Sequence, residues 1–119
     1  LCVKLVIEVA TEEQLQEIAP LVAAIDVEDS QKAAEAIFTL HHELAVLSGN
    51  MLLPLVYYSF KPQSIFLWEK SCRYLGVKEH YEQKRLLYQA LLDRDKREAE
   101  GLVSESIAYA VRQISVFMA

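Results

Sequence analysis

The sequence has few of the residues that interrupt regular structure or cross-link a chain. Only 3 Gly and 3 Pro occur among 119 residues, while hydrophobic residues make up 53%. This composition argues against a disordered or loop-rich chain and predicts a single domain with a substantial core. The two cysteines, Cys2 and Cys72, lie far apart without a partner spacing. We interpret them as reduced, partly buried residues of a cytoplasmic protein.

Long apolar runs and basic clusters are also missing. No run approaches the ~20 apolar residues that cross a bilayer, and Leu1–Ile7 is too short for a secretion signal. The formal net charge is −5 and the basic residues are scattered, which makes direct contact with nucleic-acid phosphates unfavourable. Because no initiating Met is present, we expect a fragment of a longer polypeptide.

What the sequence does contain is apolar residues at helical spacing, and no segment alternates like a half-buried strand. A capping box at Thr11–Gln14 opens a helix that Pro20 should kink or cut. We predict an all-α, antiparallel bundle of six to seven helices over residues 1–119. The remaining predicted helices are residues 2–9, a helix from Asp29 or Ser30 to near Ser48, Met51 to Phe60, Pro62 to Gly76, one from Val77, and a last one opened by Asp95.

Polar residues interrupt three of the apolar stripes. His41 lies between Ile37 and Leu44 on one stripe, Lys84 lies on another, and Ser106 (or Ile107) lies on the inner face of the last helix. The plainer interpretation is that Lys84 extends to solvent from the edge of its stripe and that His41 is a satisfied core residue. The alternative is a cavity for an anionic molecule. Tyr57, Tyr58 and Trp68 could stack on such a ligand, although their helical spacing also suits plain core.

Catalytic signals are weak. The sequence has no His-Glu-x-x-His, glycine-rich phosphate loop, Gly-x-Ser-x-Gly or zinc-spaced cysteine pair. A general base at His41 would need a partner, and Glu35 and Glu43 lie on the wrong faces of its helix. His80 precedes a polar first turn, and we expect it to be exposed. We therefore predict that the chain is not an enzyme.

Two segments carry a resemblance to a known family. Ile37–Asn50, with His41 nine residues before Asn50, resembles a helix and Gly-Asn turn of the FCD domain, the C-terminal effector domain of FadR-type, GntR-family bacterial transcription regulators. Leu86–Asp95 followed by Ala99 resembles the junction between that domain's last two helices. Val9–Leu15 is similar to the junction after the first helix.

The resemblance implies a FadR C-terminal-domain-like bundle and a site at its centre. Many members hold a metal ion with one Asp and three His, and the corresponding positions here are Ile37, His41, Lys84 and Ser106. Only His41 is kept, so we predict that the metal site is lost and that no cofactor is held. Because it lacks the metal ligands, the chain is more similar to FadR-like members that bind an acyl-CoA without metal. The predicted ligand-binding residues are His41, Lys84, Ser106, Trp68 and Tyr88.

The function implied is sensing of a small carboxylate or acyl-CoA-like anion, which would modulate DNA binding by an N-terminal winged-helix domain absent from this chain. A purely structural interaction or dimerisation module is the alternative, and it predicts a small or absent cavity. Whether the chain forms a homodimer by itself stays open at this point, as do the effector and the operator. Contact with DNA is expected only through the absent domain, and none with a membrane.

Overall fold

The structure, a computed structural model, describes the backbone of residues 2–118 and the side chains of residues 2–109, 111 and 112. Within that backbone the chain forms helices joined by short turns, and no strand occurs. The predicted all-α bundle is therefore confirmed. The described part contains eight helices: α1 (Cys2–Val9), α2 (Glu12–Gln16), α3 (Ala19–Ala23), α4 (Ser30–Leu47), α5 (Leu52–Ser59), α6 (Lys61–Leu75), α7 (Val77–Leu92) and α8 (Lys96–Met118).

Side-chain caps explain where several helices begin. The Thr11 hydroxyl accepts from Gln14 N at 3.1 Å, and the Gln14 amide oxygen accepts from Thr11 N at 2.9 Å, which is the predicted capping box. The Asp29 carboxylate accepts from two backbone amides at the start of α4, which fixes that helix in register. Pro20 cuts the second predicted helix into α2 and α3 because it cannot donate a backbone hydrogen bond.

Two glycines with positive φ lie at the ends of α4 and α6. Gly49 has φ +79° just beyond α4, and Gly76 has φ +107° between α6 and α7. Such angles are strained for residues with a Cβ, so both positions favour glycine. The sharp reversal at Gly76 brings α7 back along the bundle and places its inner face next to α6.

The core consists of two groups of buried side chains. The larger group is built by α1, α2, α3, α4, α7 and the start of α8, and Tyr88 packs against it. The smaller group consists of Ile25, Ala33, Ile37 and Cys72, with Trp68 and Tyr81 packed against it. Cys2 is half-buried and Cys72 is buried, and both are free thiols as predicted. Polar side chains gather beside the smaller group.

Helix length and polarity agree with the absence of long apolar runs in the sequence. α8 is the longest helix, with 23 residues, and its first turn carries charge. Among the described residues, no helix combines the length and the apolar character needed to cross a bilayer.

Candidate functional site

Three helices bring a histidine, a tryptophan and a lysine together beside the smaller core group. His41 of α4 stacks on Trp68 of α6, with ring centroids 5.5 Å apart and planes 5° from parallel. Lys84 of α7 places Nζ 4.6 Å from the centre of the Trp68 ring. Each side chain lies on the inward stripe of its helix, where the periodicity predicted His41 and Lys84. Ser71 and His80 lie beside these residues. We call the five side chains, His41, Trp68, Ser71, His80 and Lys84, the polar cluster.

Lys84 is buried, and the interpretation that it extends to solvent is wrong. Its side chain is 1% exposed. Burial lowers its pKa to about 8, because the charged form loses hydration that the Trp68 ring replaces only in part. The ion pairs of the described residues do not include Lys84. The buried carboxylate of α6, Glu69, pairs with Arg73 and Lys70 of its own helix.

His80 is also buried, which contradicts its predicted exposure. It is 0% exposed. Its Nε2 shares a hydrogen bond of 2.9 Å with Ser71 Oγ, and its ring meets Trp68 edge-on at 5.7 Å. The prediction gave weight to the polar residues around His80 and overlooked helical spacing. His80 lies four residues before Lys84, so both side chains share one face of α7. Ser71 gave no comparable signal in the sequence.

Both imidazoles are neutral at pH 7 and incompletely hydrogen-bonded. Burial, followed by the nearby Lys84 charge, lowers the pKa of His41 well below its usual value. The same two causes lower the pKa of His80 to about 4, although the Ser71 bond opposes them. His41 Nε2 and His80 Nδ1 are buried and have no hydrogen-bond partner in the part of the chain that the structure describes. A buried polar atom without a partner costs free energy, so both nitrogens could gain from a ligand.

Tyr57 of α5 also contacts His41. The two rings stack with centroids 6.2 Å apart and planes 17° from parallel. Burial raises the pKa of Tyr57 to about 12, so its phenol stays protonated. From the sequence, Tyr57 could either stack on a ligand or be plain core, as could Trp68. Its contact with His41, together with that of Trp68, restricts the orientation of the imidazole.

The other two predicted ligand-binding residues lie at the edge of this arrangement. Ser106 of α8 is buried, as its stripe predicted, and its hydroxyl donates to Gln83 Oε1 at 3.0 Å, whereas Ile107 is exposed. Tyr88 is half-buried against the larger core group, whereas Trp68 packs against the smaller one. The structure thus joins His41, Trp68 and Lys84 by direct ring and cation contacts. It records no such contact from Ser106 or Tyr88 to those three.

The residues at the metal-binding positions of the resembling family do not fit a metal ion. Ile37 has no donor atom, and a Lys84 ammonium offers three N–H donors and no free electron pair. His41 is then the one strong ligand of the set. Among the described residues, no group of three or more His, Cys, Asp or Glu side chains is placed to hold a metal ion. The arrangement is instead a buried lysine in contact with an indole ring and close to two imidazoles.

Comparison with known proteins gives one family. The model of the FCD domain matches residues 1–109. No curated protein and no solved structure matches significantly. The matched range includes α1 to α7 and most of the described part of α8, and it contains every residue of the polar cluster.

Proposed function

The chain belongs to the FCD domain family, the effector-binding regulatory domains of GntR-type transcription regulators, and we propose that it senses a small anion at the polar cluster. The anion is a carboxylate or an acyl-CoA-like molecule. Binding modulates the DNA affinity of an N-terminal winged-helix domain outside this chain. The domain acts in the cytoplasm without a resident metal or cofactor, and it catalyses no reaction.

The observation that carries this proposal is the Lys84 ammonium, which is buried and has no ion-pair partner among the described residues. Removing a charge from water costs several kcal/mol unless a partner offsets the loss. Contact with the Trp68 face returns only about 1–2 kcal/mol. An anion beside Lys84 would offset the rest and raise the pKa of the ammonium again. Because the buried ammonium lacks its hydration in the free state, the site favours an anionic ligand over a neutral one.

The surrounding groups favour an oxyanion. A carboxylate accepts hydrogen bonds, and a neutral imidazole offers one N–H besides the lysine's three donors. Nitrogens of His41 and His80 that have no hydrogen-bond partner among the described residues are therefore available on two rings that contact Trp68. The indole ring adds a flat apolar wall for a carbon skeleton. These features support a small organic anion more than a bare inorganic ion.

Regulation would follow from a difference in affinity. An anion that binds one arrangement of α4, α6 and α7 better than another shifts the population toward it. The same shift would change how two attached DNA-binding domains are placed relative to each other. Coupling of about 1–3 kcal/mol is usual for such transitions and changes affinity 5- to 150-fold.

A thermal-shift series tests the proposal. Small mono- and dicarboxylates and acyl-CoAs are added to the parent chain and to the Lys84→Met and Lys78→Met variants. Lys78 is an exposed lysine of the same helix and serves as the matched control. We expect at least one anion to raise Tm in a saturable way for the parent and the control, and not for Lys84→Met. Equal responses of all three chains, or none from any anion, would refute a site at Lys84.

The second candidate is a structural helical module whose polar groups are satisfied internally. The Ser106–Gln83 and Ser71–His80 hydrogen bonds support it, because both consume polar atoms inside the bundle. Among the described residues it leaves Lys84 without an ion pair and two imidazole nitrogens without a hydrogen bond, which is why we rank it second. A null result in the thermal-shift series would favour it.

A further inference from the structure

Lys84 has the surroundings of a nucleophilic lysine as well as those of an anion-binding one. Its side chain is buried, and the ion pairs of the described residues do not include it. The ionisable groups that act on it or feel its charge are uncharged at pH 7: His41, His80 and the Cys72 thiol, whose pKa burial raises to about 11. An ammonium that no carboxylate holds can lose its proton and become an amine with a free electron pair.

This amine is present near neutral pH, because the pKa of Lys84 is lowered to about 8 by burial. Roughly a tenth of the molecules then carry an uncharged Lys84 at pH 7, about 300 times the fraction expected for an ordinary lysine. Lysines desolvated in this way attack carbonyl carbon atoms and form Schiff bases.

The two imidazoles of the polar cluster can move the protons that Schiff-base formation transfers. The attacking nitrogen must lose protons to a base, and the departing oxygen must gain them from an acid. His41 Nε2 and His80 Nδ1 are buried nitrogens without a hydrogen-bond partner among the described residues. Both rings contact Trp68, and Lys84 Nζ lies 4.6 Å from the centre of that indole ring. The cluster therefore gathers one nucleophile and two proton carriers around a single aromatic side chain.

The helix next to His41 offers a route of entry. Tyr57 of α5 stacks on His41, and α5 buries none of its residues. Moving α5 aside therefore disrupts little of the packed core, and local opening of this kind is characteristic of ligand-binding regions.

The buried charge decides which carbonyl compound fits the site. Water hydrolyses an imine, so a site that excludes water favours the imine. The protonated imine can keep the cation's contact with Trp68, but it still needs a counter-ion. A 2-oxo acid supplies one, because its carboxylate is attached directly to the imine carbon. A simple aldehyde would leave the cation unpaired, and a simple carboxylate cannot form the bond.

We propose that Lys84 holds its effector covalently, as a Schiff base with a small 2-oxo acid. The amine nitrogen attacks the carbonyl carbon, both nitrogen protons pass to the carbonyl oxygen by way of the imidazoles, and that oxygen leaves as water while the C=N bond forms. Addition of water reverses the step and returns the lysine and the acid. The inference rests on the proposed function, since it names the class of carboxylate and the way in which the same site retains it.

Reductive trapping tests the covalent link. The parent chain is incubated at pH 7 with glyoxylate, the smallest 2-oxo acid, and with cyanoborohydride, which delivers hydride to an imine and leaves a stable secondary amine. We expect peptide mass spectrometry to find a carboxymethyl group on Lys84 at least about tenfold more often than on Lys78, an exposed lysine of the same helix. In urea, which abolishes the burial, the two lysines should be labelled equally.

Two labelling results would overturn the proposal. The first is labelling of Lys84 that does not exceed that of Lys78 in the folded chain. The second is a preference for Lys84 that persists in urea, because the reactivity would then come from the local sequence and not from the polar cluster.

Thermal-shift measurements separate this inference from the proposed function. Glyoxylate and glycolate, which has a hydroxyl group in place of the carbonyl, are compared before and after cyanoborohydride treatment and dialysis. We expect only glyoxylate to leave a raised Tm after dialysis. If both acids raise Tm but neither effect survives, the covalent link is wrong and the anion sensor stands. If no carboxylate of the series raises Tm, the proposed function itself fails.

Discussion

At the scale of single residues, Lys84 should stabilise a complex and destabilise the free domain. Its pKa of about 8 shows that folding disfavours the ammonium. Lys84→Met keeps the length of the side chain and removes the charge. We expect the free energy of unfolding without ligand to rise by about 1–2 kcal/mol. Urea denaturation at pH 7 measures this, and exposed Lys78→Met should change it by less than about 0.5 kcal/mol. A loss of stability in Lys84→Met would mean that the charge is already compensated.

His80 should make stability depend on pH in the mildly acidic range. Its pKa of about 4 in the folded chain lies below the ordinary value of 6.5. Between these values the unfolded chain binds more protons, so stability is complete above about pH 6.5 and falls as pH drops toward 4. The groups facing it are Ser71, Trp68 and Lys84.

Comparing the parent with His80→Gln isolates this contribution. The parent should lose on the order of 2 kcal/mol more than the variant between pH 7 and pH 4.5. Urea denaturation at the two pH values supplies the four free energies needed. If the two chains lose equal stability, the His80 imidazole is not held neutral by its surroundings.

The polar cluster shows how far single residues could be predicted from the sequence. Helical spacing placed His41 and Lys84 on inward faces, and both are buried. Their electrostatic environment could not be predicted, because it depends on contacts between helices: Trp68 of α6 meets both side chains, and Lys84 of α7 lies near His41 of α4. The same spacing rule applied to His80 would have predicted its burial. The prediction that His80 is exposed instead gave more weight to the polar residues beside it than to its helical spacing.

At the scale of helices, the reversal between α6 and α7 depends on one glycine. Gly76 has φ +107° and ψ +136°, a region that residues with a Cβ rarely enter. We expect Gly76→Ala to lower the free energy of unfolding by about 1–3 kcal/mol. Gly101 lies inside α8, and a Cβ there would meet nothing within 4 Å. Gly101→Ala should therefore raise stability by about 0.5–1 kcal/mol. Thermal denaturation of both variants checks the opposite signs.

Helix boundaries followed local signals where those signals were strong. Thr11, Asp29 and the two glycines at helix ends mark boundaries in the sequence, and the structure places boundaries there. The sequence left open whether Pro20 would bend or cut its helix, because local chemistry allows both. In the structure the helix is cut, and α3 is a separate helix with Pro20 in its first turn. The exposure of α5 was equally beyond prediction. An apolar helix has the same sequence pattern whether its partner is its own core or another molecule.

At the scale of the whole molecule, three helices that are distant in the sequence meet at the polar cluster. Trp68 of α6 contacts His41 of α4 and Lys84 of α7. Because packed helices move as units, an anion that repositions one of these side chains would also shift its helix. Effector binding would then act on the arrangement of α4, α6 and α7.

Trp68 fluorescence should report anion binding directly, because Trp68 is the sole tryptophan of the chain and contacts both His41 and Lys84. We expect an anion that raises Tm to change Trp68 emission in a saturable way. Lys84→Met should lose this response, and the exposed control Lys78→Met should keep it. An emission change that is equal in all three chains would show that the anion binds away from the polar cluster.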